Sequence, residues 1–161
     1  MTEIRTAVTI AAPPAAVWAD VRDIASHVEW MADAVEIRFT SDTTDGTGTT
    51  FECDTRVGPL RLTDLMEITE WEDDRRMGVR HVGLVTGTGV FTLEPLDEVA
   101  TVFTWTERLQ FPWWLGGPLG AAASRPVMRW IWRRNLARLK ARIEGAAGGG
   151  DHPVQHDQPN A

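Results

Sequence analysis

The sequence predicts an α+β domain in which a single antiparallel sheet is covered on one face by a long C-terminal helix. Three observations predict it. From residue 34 to residue 109, apolar-alternating segments follow one another with only short turn-forming stretches between them. Connections that short leave no room for helical crossovers, so neighbouring strands must run antiparallel. Within these strands one parity is oily and the other wet, as expected of a sheet covered on one side. Finally, residues 125–143 carry apolar side chains at helical spacing.

Taken in order, residues 3–11 read as a first strand. Pro13 and Pro14 suit a helix opening, where a missing N–H is not needed. Val17, Val21, Ile24 and Val28 recur at helical spacing, and a break near Asp23 divides this stretch into two short helices, about 14–22 and 24–31. Six strands are then expected at about 34–42, 48–57, 60–71, 75–83, 87–94 and 99–109. Their turns fall at Asp45-Gly46, Gly58-Pro59, Asp73-Asp74, Gly83–Gly87 and Pro95–Glu98.

Residues 111–124 are apolar, glycine-rich and uncharged, and read as a connector. Ser124 is placed to cap a helix starting near Arg125, with Pro126 in its first turn. That helix, ending near Ile143, would be roughly 27 Å long. Met128, Trp132, Leu136, Leu139 and Ile143 form its apolar stripe, and arginines 129, 133, 134, 138 and 142 occupy much of the rest. One domain is expected over residues 1–144, followed by a disordered tail, 145–161.

Composition narrows the function classes. The 161 residues carry a net charge of −7, unevenly spread. Residues 1–107 hold 8 basic and 20 acidic side chains, residues 108–143 hold 8 basic and none acidic, and residues 144–161 add three negative charges. A basic helix lying against an acidic sheet accounts for this split better than nucleic-acid binding does, because the helix's apolar stripe is already committed to the sheet. One cysteine, Cys53, excludes an internal disulfide and makes a reducing, cytoplasmic setting the expectation. No apolar run approaches the ~20 residues of a membrane span. There is no phosphate-cradling glycine loop, dinucleotide fingerprint or metal-ligand spacing, so neither cofactor nor metal is expected. His27 reads as a surface residue of the short helices, and Gly87-Thr88-Gly89 as strand glycines.

On the inward parity lie Val35, Ile37, Phe39, Phe51, Cys53, Thr55, Val57, Leu60, Leu62, Asp64, Met66 and Ile68. The same face continues with Met77, Val79, His81, Gly87, Gly89, Phe91, Leu93, Phe103, Trp105, Glu107 and Leu109. The outward parity includes Glu36, Arg38, Glu52, Asp54, Arg76, Arg80, Thr92, Thr104 and Arg108. Closing each hairpin at its turn sets Cys53 opposite Asp64, Asp64 opposite Gly83, Gly83 near Gly87 and Gly87 near Glu107. One row over, Met66, His81, Gly89 and Trp105 line up. A slip of two residues would keep the face and move the row.

Asp64, His81 and Glu107 are thus three ionisable groups on an oily face, and glycines 83, 87 and 89 beside them are expected to leave room for a ligand. Three readings stay open for them: structural pairing, pocket lining and catalysis. Asp64 and His81 fall within hydrogen-bond reach, so an imidazole oriented by Asp64 would suit a general base. Asp64 and Glu107, three strands apart at roughly 14 Å, are not expected to act together. Cys53 reads as a small core residue. Phe111, Trp113, Trp114 and Leu115 would either cork one end of the sheet or form a lid or membrane-docking tip. Trp130 and Trp132 beside arginines fit an interfacial helix.

The words Ile10-x-Ala12-Pro13, Val17-Trp18, Asp23 and Trp30, with the order strand, two short helices, six strands and long helix, resemble the START-like, or SRPBCC, superfamily over about residues 3–143. That superfamily includes polyketide cyclase/dehydrases, lipid-transfer domains and the birch-pollen-allergen relatives. The resemblance implies the helix-grip fold, a curved sheet wrapped around the last helix with an internal cavity for a hydrophobic ligand. It transfers no active site, since the superfamily has no universal catalytic motif. The leading expectation is binding of a lipid, quinone or polyketide-like molecule, with walls from Cys53, Asp64, Met66, His81, Phe91, Trp105, Glu107, Met128 and Trp132. The alternatives are a polyketide cyclase or dehydratase using His81 and Asp64, and a non-catalytic protein-interaction module. Trp113 and Trp114 are candidates for transient contact with a membrane surface; oligomeric state is not legible.

Overall fold

In the computed structural model, which describes residues 2–149, the expected elements appear in the expected order. Strand β1 (Thr2–Ile10) leads into helix α1 (Pro14–Val21), a 3-10 turn at Ile24–Ser26 and helix α2 (His27–Trp30). Six strands follow: β2 (Ala34–Phe39), β3 (Thr50–Val57), β4 (Leu60–Glu72), β5 (Arg76–Val82), β6 (Thr86–Asp97) and β7 (Ala100–Gln110). A 3-10 turn at Trp113–Leu115 precedes helix α3 (Gly117–Gly148).

All strands join one antiparallel sheet in the order β1-β7-β6-β5-β4-β3-β2. β1 lies beside the last strand because its apolar residues Ile4 and Ile10 enter the same core as Phe103 and Leu109. The stripe of α3 closes that core: Trp132, Leu136, Leu139 and Ile143 are buried, and Met128 packs against them. Burial of this apolar surface is the main term holding helix to sheet.

Helix α3 starts eight residues earlier than expected, at Gly117, and ends later, at Gly148. Ser124 therefore caps nothing; its hydroxyl donates to the Ala121 carbonyl inside the helix. The start is set by Gly116, whose left-handed φ of 87° turns the chain, with Pro118 in the first turn. Alanines 121–123 and 146–147 extend the helix at both ends, since alanine is the strongest helix former and propagation is easy once a turn is anchored. The expected tail from residue 145 is thus helical to Gly148, and its remainder from residue 150 lies outside the described residues.

Two further assignments change. Val35 points outward, 59% exposed, because an irregularity between Ala34 and Glu36 turns Ala34 inward instead. Thr104, on the expected wet face, is buried between Ala7 and Thr92 of the flanking strands.

The two halves of α3 are held differently. In the C-terminal half, Asn135 is fully buried: its Oδ1 accepts from the Ala32 N–H at 2.9 Å and its Nδ2 donates to Asp33 at 2.7 Å. Arg142 pairs with Asp20 and Glu29, Lys140 donates to the Thr9 carbonyl, and Glu144 accepts from the Ala11 N–H. The basic helix thus meets acidic groups of α1 and α2 more than those of the sheet. In the N-terminal half, before Trp132, only Gly117 and Ala121 are buried, and Arg125 donates to the Glu3 carbonyl.

Replacing Asn135 by Ala leaves the Ala32 N–H and one Asp33 oxygen without their partner and empties a fully buried site. Chemical denaturation is expected to show a loss of about 2–4 kcal/mol. A loss below ~0.5 kcal/mol would contradict the anchoring role.

Candidate functional site

The concave face of the sheet and α3 enclose a hollow of about 260 Å³. Its walls are chiefly aliphatic and aromatic, drawn from α2, β2 to β7 and α3. All nine residues singled out in the sequence border it: Cys53, Asp64, Met66, His81, Phe91, Trp105, Glu107, Met128 and Trp132. Sequence reasoning missed Met31, Leu84, Val85, Phe111 and Val127, which also line it. They sit in loops, at the end of a short helix and, for Val127, on α3 outside its apolar stripe, where strand parity carries no information.

Strand register decides how the three ionisable groups meet. Cys53 pairs with Asp64 and Met66 with His81, as expected. Beyond β5 the rows differ by two residues: His81 faces Gly87 rather than Gly89, and Glu107 faces Gly89 rather than Gly87. The β5–β6 loop spans Gly83–Val85, and the β6–β7 turn falls at Glu98–Val99 after an irregularity at Pro95–Asp97. Each change moves a row by two and keeps its face.

The consequence is an ion bridge across three strand spacings. Asp64 Oδ2 lies 2.5 Å from His81 Nδ1, and Glu107 Oε2 lies 3.2 Å from His81 Nε2. The Glu107 side chain reaches its partner by crossing β6 directly above Gly89, where a Cβ would stand 2.5 Å from Glu107 Oε1. Gly83 likewise accommodates Asp64, whose Oδ1 would be 2.8 Å from an added Cβ. The space left by these two glycines is therefore occupied by the protein's own carboxylates, and the hollow lies beyond them. The expected separation of Asp64 from Glu107 also fails, because side chains converging on the concave face close the gap that the backbones leave. His81 bonds no backbone carbonyl, and Asp64 and Glu107 pair with no arginine, among the described residues.

Both imidazole nitrogens face carboxylate oxygens. A proton on each nitrogen places positive charge between the two carboxylates, so the arrangement favours an imidazolium over either neutral tautomer. Burial, the largest influence, opposes that charge; the hydrogen bond to Asp64 and the contacts with Glu107 outweigh it and push the His81 pKa up to about 10.

Glu107 Oε1 is satisfied by the indole N–H of Trp105 at 2.9 Å, and Trp105 in turn stacks on Trp132 of α3 with ring centroids 5.1 Å apart. The contact between Glu107 Oε2 and His81 is a charge contact without hydrogen-bond alignment. Asp64 Oδ1, His81 Nε2 and Glu107 Oε2 are all buried and have no hydrogen-bond partner among the described residues.

Other candidates resolve differently. His27 is buried rather than on the surface, donating Nε2–H to the Val21 carbonyl at 2.7 Å, and burial lowers its pKa. Burial pushes the Cys53 thiol up to about 11, which keeps it an unreactive wall group at neutral pH. Phe111 lines the hollow, whereas Trp113 and Trp114 are 86% and 54% exposed and cork nothing. They follow Pro112 on a 3-10 turn that leaves both indoles exposed. Trp132 belongs to the interior; Trp130 is exposed, with the Arg134 guanidinium 4.8 Å from its ring centre. No helix among the described residues is long and apolar enough to cross a membrane.

Solved structures share this architecture. Protein TTHA0849 from Thermus thermophilus superposes with a TM-score of 0.72 at 21% identity, covering 91% of this chain and 99% of its own. A START superfamily protein from Mycobacterium smegmatis gives a TM-score of 0.72 at 10% identity over 89% of this chain and 98% of its own. The di-domain ARO/CYC BexL of the BE-7585A biosynthetic pathway gives 0.68 at 16% identity, matching 89% of this chain and 47% of that longer one. At these identities the likeness shows the fold. No curated protein matches the sequence. The family model described as polyketide cyclase / dehydrase and lipid transport matches residues 1–144, and the chain belongs to that family.

Proposed function

We propose that this domain binds an apolar small molecule of the lipid, quinone or polyketide class in the hollow between sheet and α3. The observation that carries this reading is an oily interior space of about 260 Å³ with one group of buried, unsatisfied polar atoms on its wall. A cavity of roughly 150 Å³ holds benzene, so a two-ring molecule or short acyl segment fits here without rearrangement. The hollow lined by Gly89 argues against a pure interaction module, which would fill its core.

The enzymatic alternative, a cyclase or dehydratase reaction with His81 as general base and Asp64 as its orienter, draws support from the family and from the Asp64–His81 hydrogen bond. Against it, a general base needs a free lone pair at neutral pH, whereas His81 Nδ1 is engaged by Asp64 and the charges of Asp64 and Glu107 together hold the ring protonated. Ligand binding without proton abstraction by His81 is the better-supported reading.

Leu60, Leu84 and Val127 line the hollow and are also exposed, which marks its mouth between the β3–β4 and β5–β6 hairpins and the N-terminal half of α3. The same half of the chain presents Trp113, Trp114, Leu119 and Trp130, with arginines 125, 129, 133 and 134 exposed among them. Exposed indoles interleaved with cations match an anionic lipid surface, so the mouth is read as loading from such a surface.

Three outcomes test these statements. In a thermal-shift assay, two-ring apolar compounds are expected to raise the melting temperature of the native protein, and Met66→Trp, which fills the hollow, to abolish the rise. An unchanged rise in that variant would place binding elsewhere. Vesicles containing about 30% phosphatidylserine should retain the protein at low salt, and Trp113→Ser with Trp114→Ser should release it, since the apolar part of the contact is then lost; equal retention by neutral vesicles would contradict the charge argument.

The third concerns protonation. His81 holds its proton more tightly when folded, with a pKa of about 10 against 6.5 for the free side chain. Its contribution to stability is thus fully present below pH 6.5 and fades as pH rises through about 10. Nitrogen NMR at pH 8 should find both ring nitrogens of His81 protonated, and the melting temperature should fall between pH 7 and 9, before Cys53 titrates. A neutral imidazole at pH 8 would restore the general-base assignment.

A further inference from the structure

The wall of the hollow carries an unbalanced charge. Two carboxylates, Asp64 and Glu107, flank one imidazolium, His81, and among the described residues no arginine or lysine pairs with any of them. Glu107 is 5% exposed and His81 8%, so water does not disperse the remaining negative charge. Of the available carboxylate oxygens, Asp64 Oδ2 is engaged by His81 and Glu107 Oε1 by Trp105. Asp64 Oδ1 and Glu107 Oε2 are left as buried acceptors without a donor. An apolar molecule alone would leave both unsatisfied, a costly arrangement in a dry interior. A second carboxylate brought beside them would meet like charge without a cation to offset it.

From this we infer that the Asp64–His81–Glu107 wall is a head-group subsite that selects apolar ligands bearing a neutral hydrogen-bond donor, an alcohol or phenol, and rejects those ending in a carboxylate. The inference rests on the proposed ligand-binding role of the same hollow. A hydroxyl answers these unmet groups, once the carboxylates turn to admit it, by donating to one orphaned carboxylate oxygen while its own oxygen accepts from the His81 Nε2–H, which lacks an aligned acceptor. The ligand's rings would then lie toward Trp105, Phe91 and Met66, the apolar side of the same wall. Free fatty acids are excluded by this chemistry; hydroxylated aromatic or alicyclic molecules are the class it takes.

The test compares three probes with one apolar body: 2-naphthol, naphthalene and 2-naphthoate, titrated at pH 7.5 against the full chain by intrinsic tryptophan fluorescence. Naphthol is expected to bind roughly tenfold more tightly than naphthalene, the worth of one hydrogen bond to an otherwise orphaned group, and naphthoate more weakly than either. In Glu107→Gln, and independently in Asp64→Asn, the discrimination against naphthoate should shrink by about tenfold, since one of the two like charges is gone. Naphthoate binding as tightly as naphthol to the native protein would overturn the subsite. So would an unchanged order of affinities in both variants. If naphthalene binds and naphthol gains nothing over it, the hollow is a ligand site without this head-group preference. If none of the three binds, the ligand-binding role itself fails with it.

Discussion

An imidazolium held between two carboxylates, on the concave face of a sheet and beside an oily hollow, is the constraint on which the rest of the site depends. It forms only because β6 carries glycine where Glu107 must pass. Any side chain at position 89 would meet the Glu107 carboxylate at 2.5 Å, and Glu107 could not reach His81. The strand order, the register and the glycine are one arrangement: β5, β6 and β7 must lie side by side, with β6 stripped of bulk at this row. Buried ion pairs of this kind are weak contributors to stability, because desolvation offsets most of the attraction. Retaining one inside an apolar cavity points to recognition more than to folding.

The aromatic layer connects this bridge to the helix. Trp105 donates to Glu107, stacks on Trp132 of α3, and meets Phe91 and Trp30 edge-on. The orientation of the Glu107 carboxylate is thereby tied to the seating of α3. That seating is firm in the C-terminal half, where Asn135, Lys140, Arg142 and Glu144 all bond to the β1–α1–α2 region, and lighter in the half that borders the mouth. A rigid polar wall opposite a lightly held roof is a sound arrangement for admitting a molecule and then fixing one end of it.

Much of this was legible in the residues. Strand parity placed Asp64, His81 and Glu107 on one face and named seven of the nine wall residues, because alternation needs no knowledge of register; Met128 and Trp132 came from the helical stripe. The N-terminal words and the element order identified the architecture. Register was legible only where a hairpin closes on an unambiguous turn, as at Gly58-Pro59. It failed beyond β5, where the Gly83–Gly87 stretch allows two loop placements and an irregularity near Pro95 hides the true turn. Those two errors concealed the contact between Glu107 and His81. Gly83 and Gly89 do mark close approaches, but what approaches is the protein's own carboxylate and not a ligand. Helix α3 was read too short because its first turns look like a glycine-rich connector, although alanines 121–123 favour helix. Val35 and the exposure of Trp113 and Trp114 depend on local backbone geometry that composition does not reveal.

Amide and indole NMR of the native protein during titration with 2-naphthol tests the central claim most directly, because it locates the ligand. The account predicts shifts at Gly89, at the Trp105 indole N–H that bonds Glu107, and at the His81 ring, saturating together. Shifts confined to the exposed indoles of Trp113, Trp114 and Trp130, with Trp105 and His81 unmoved, would contradict it.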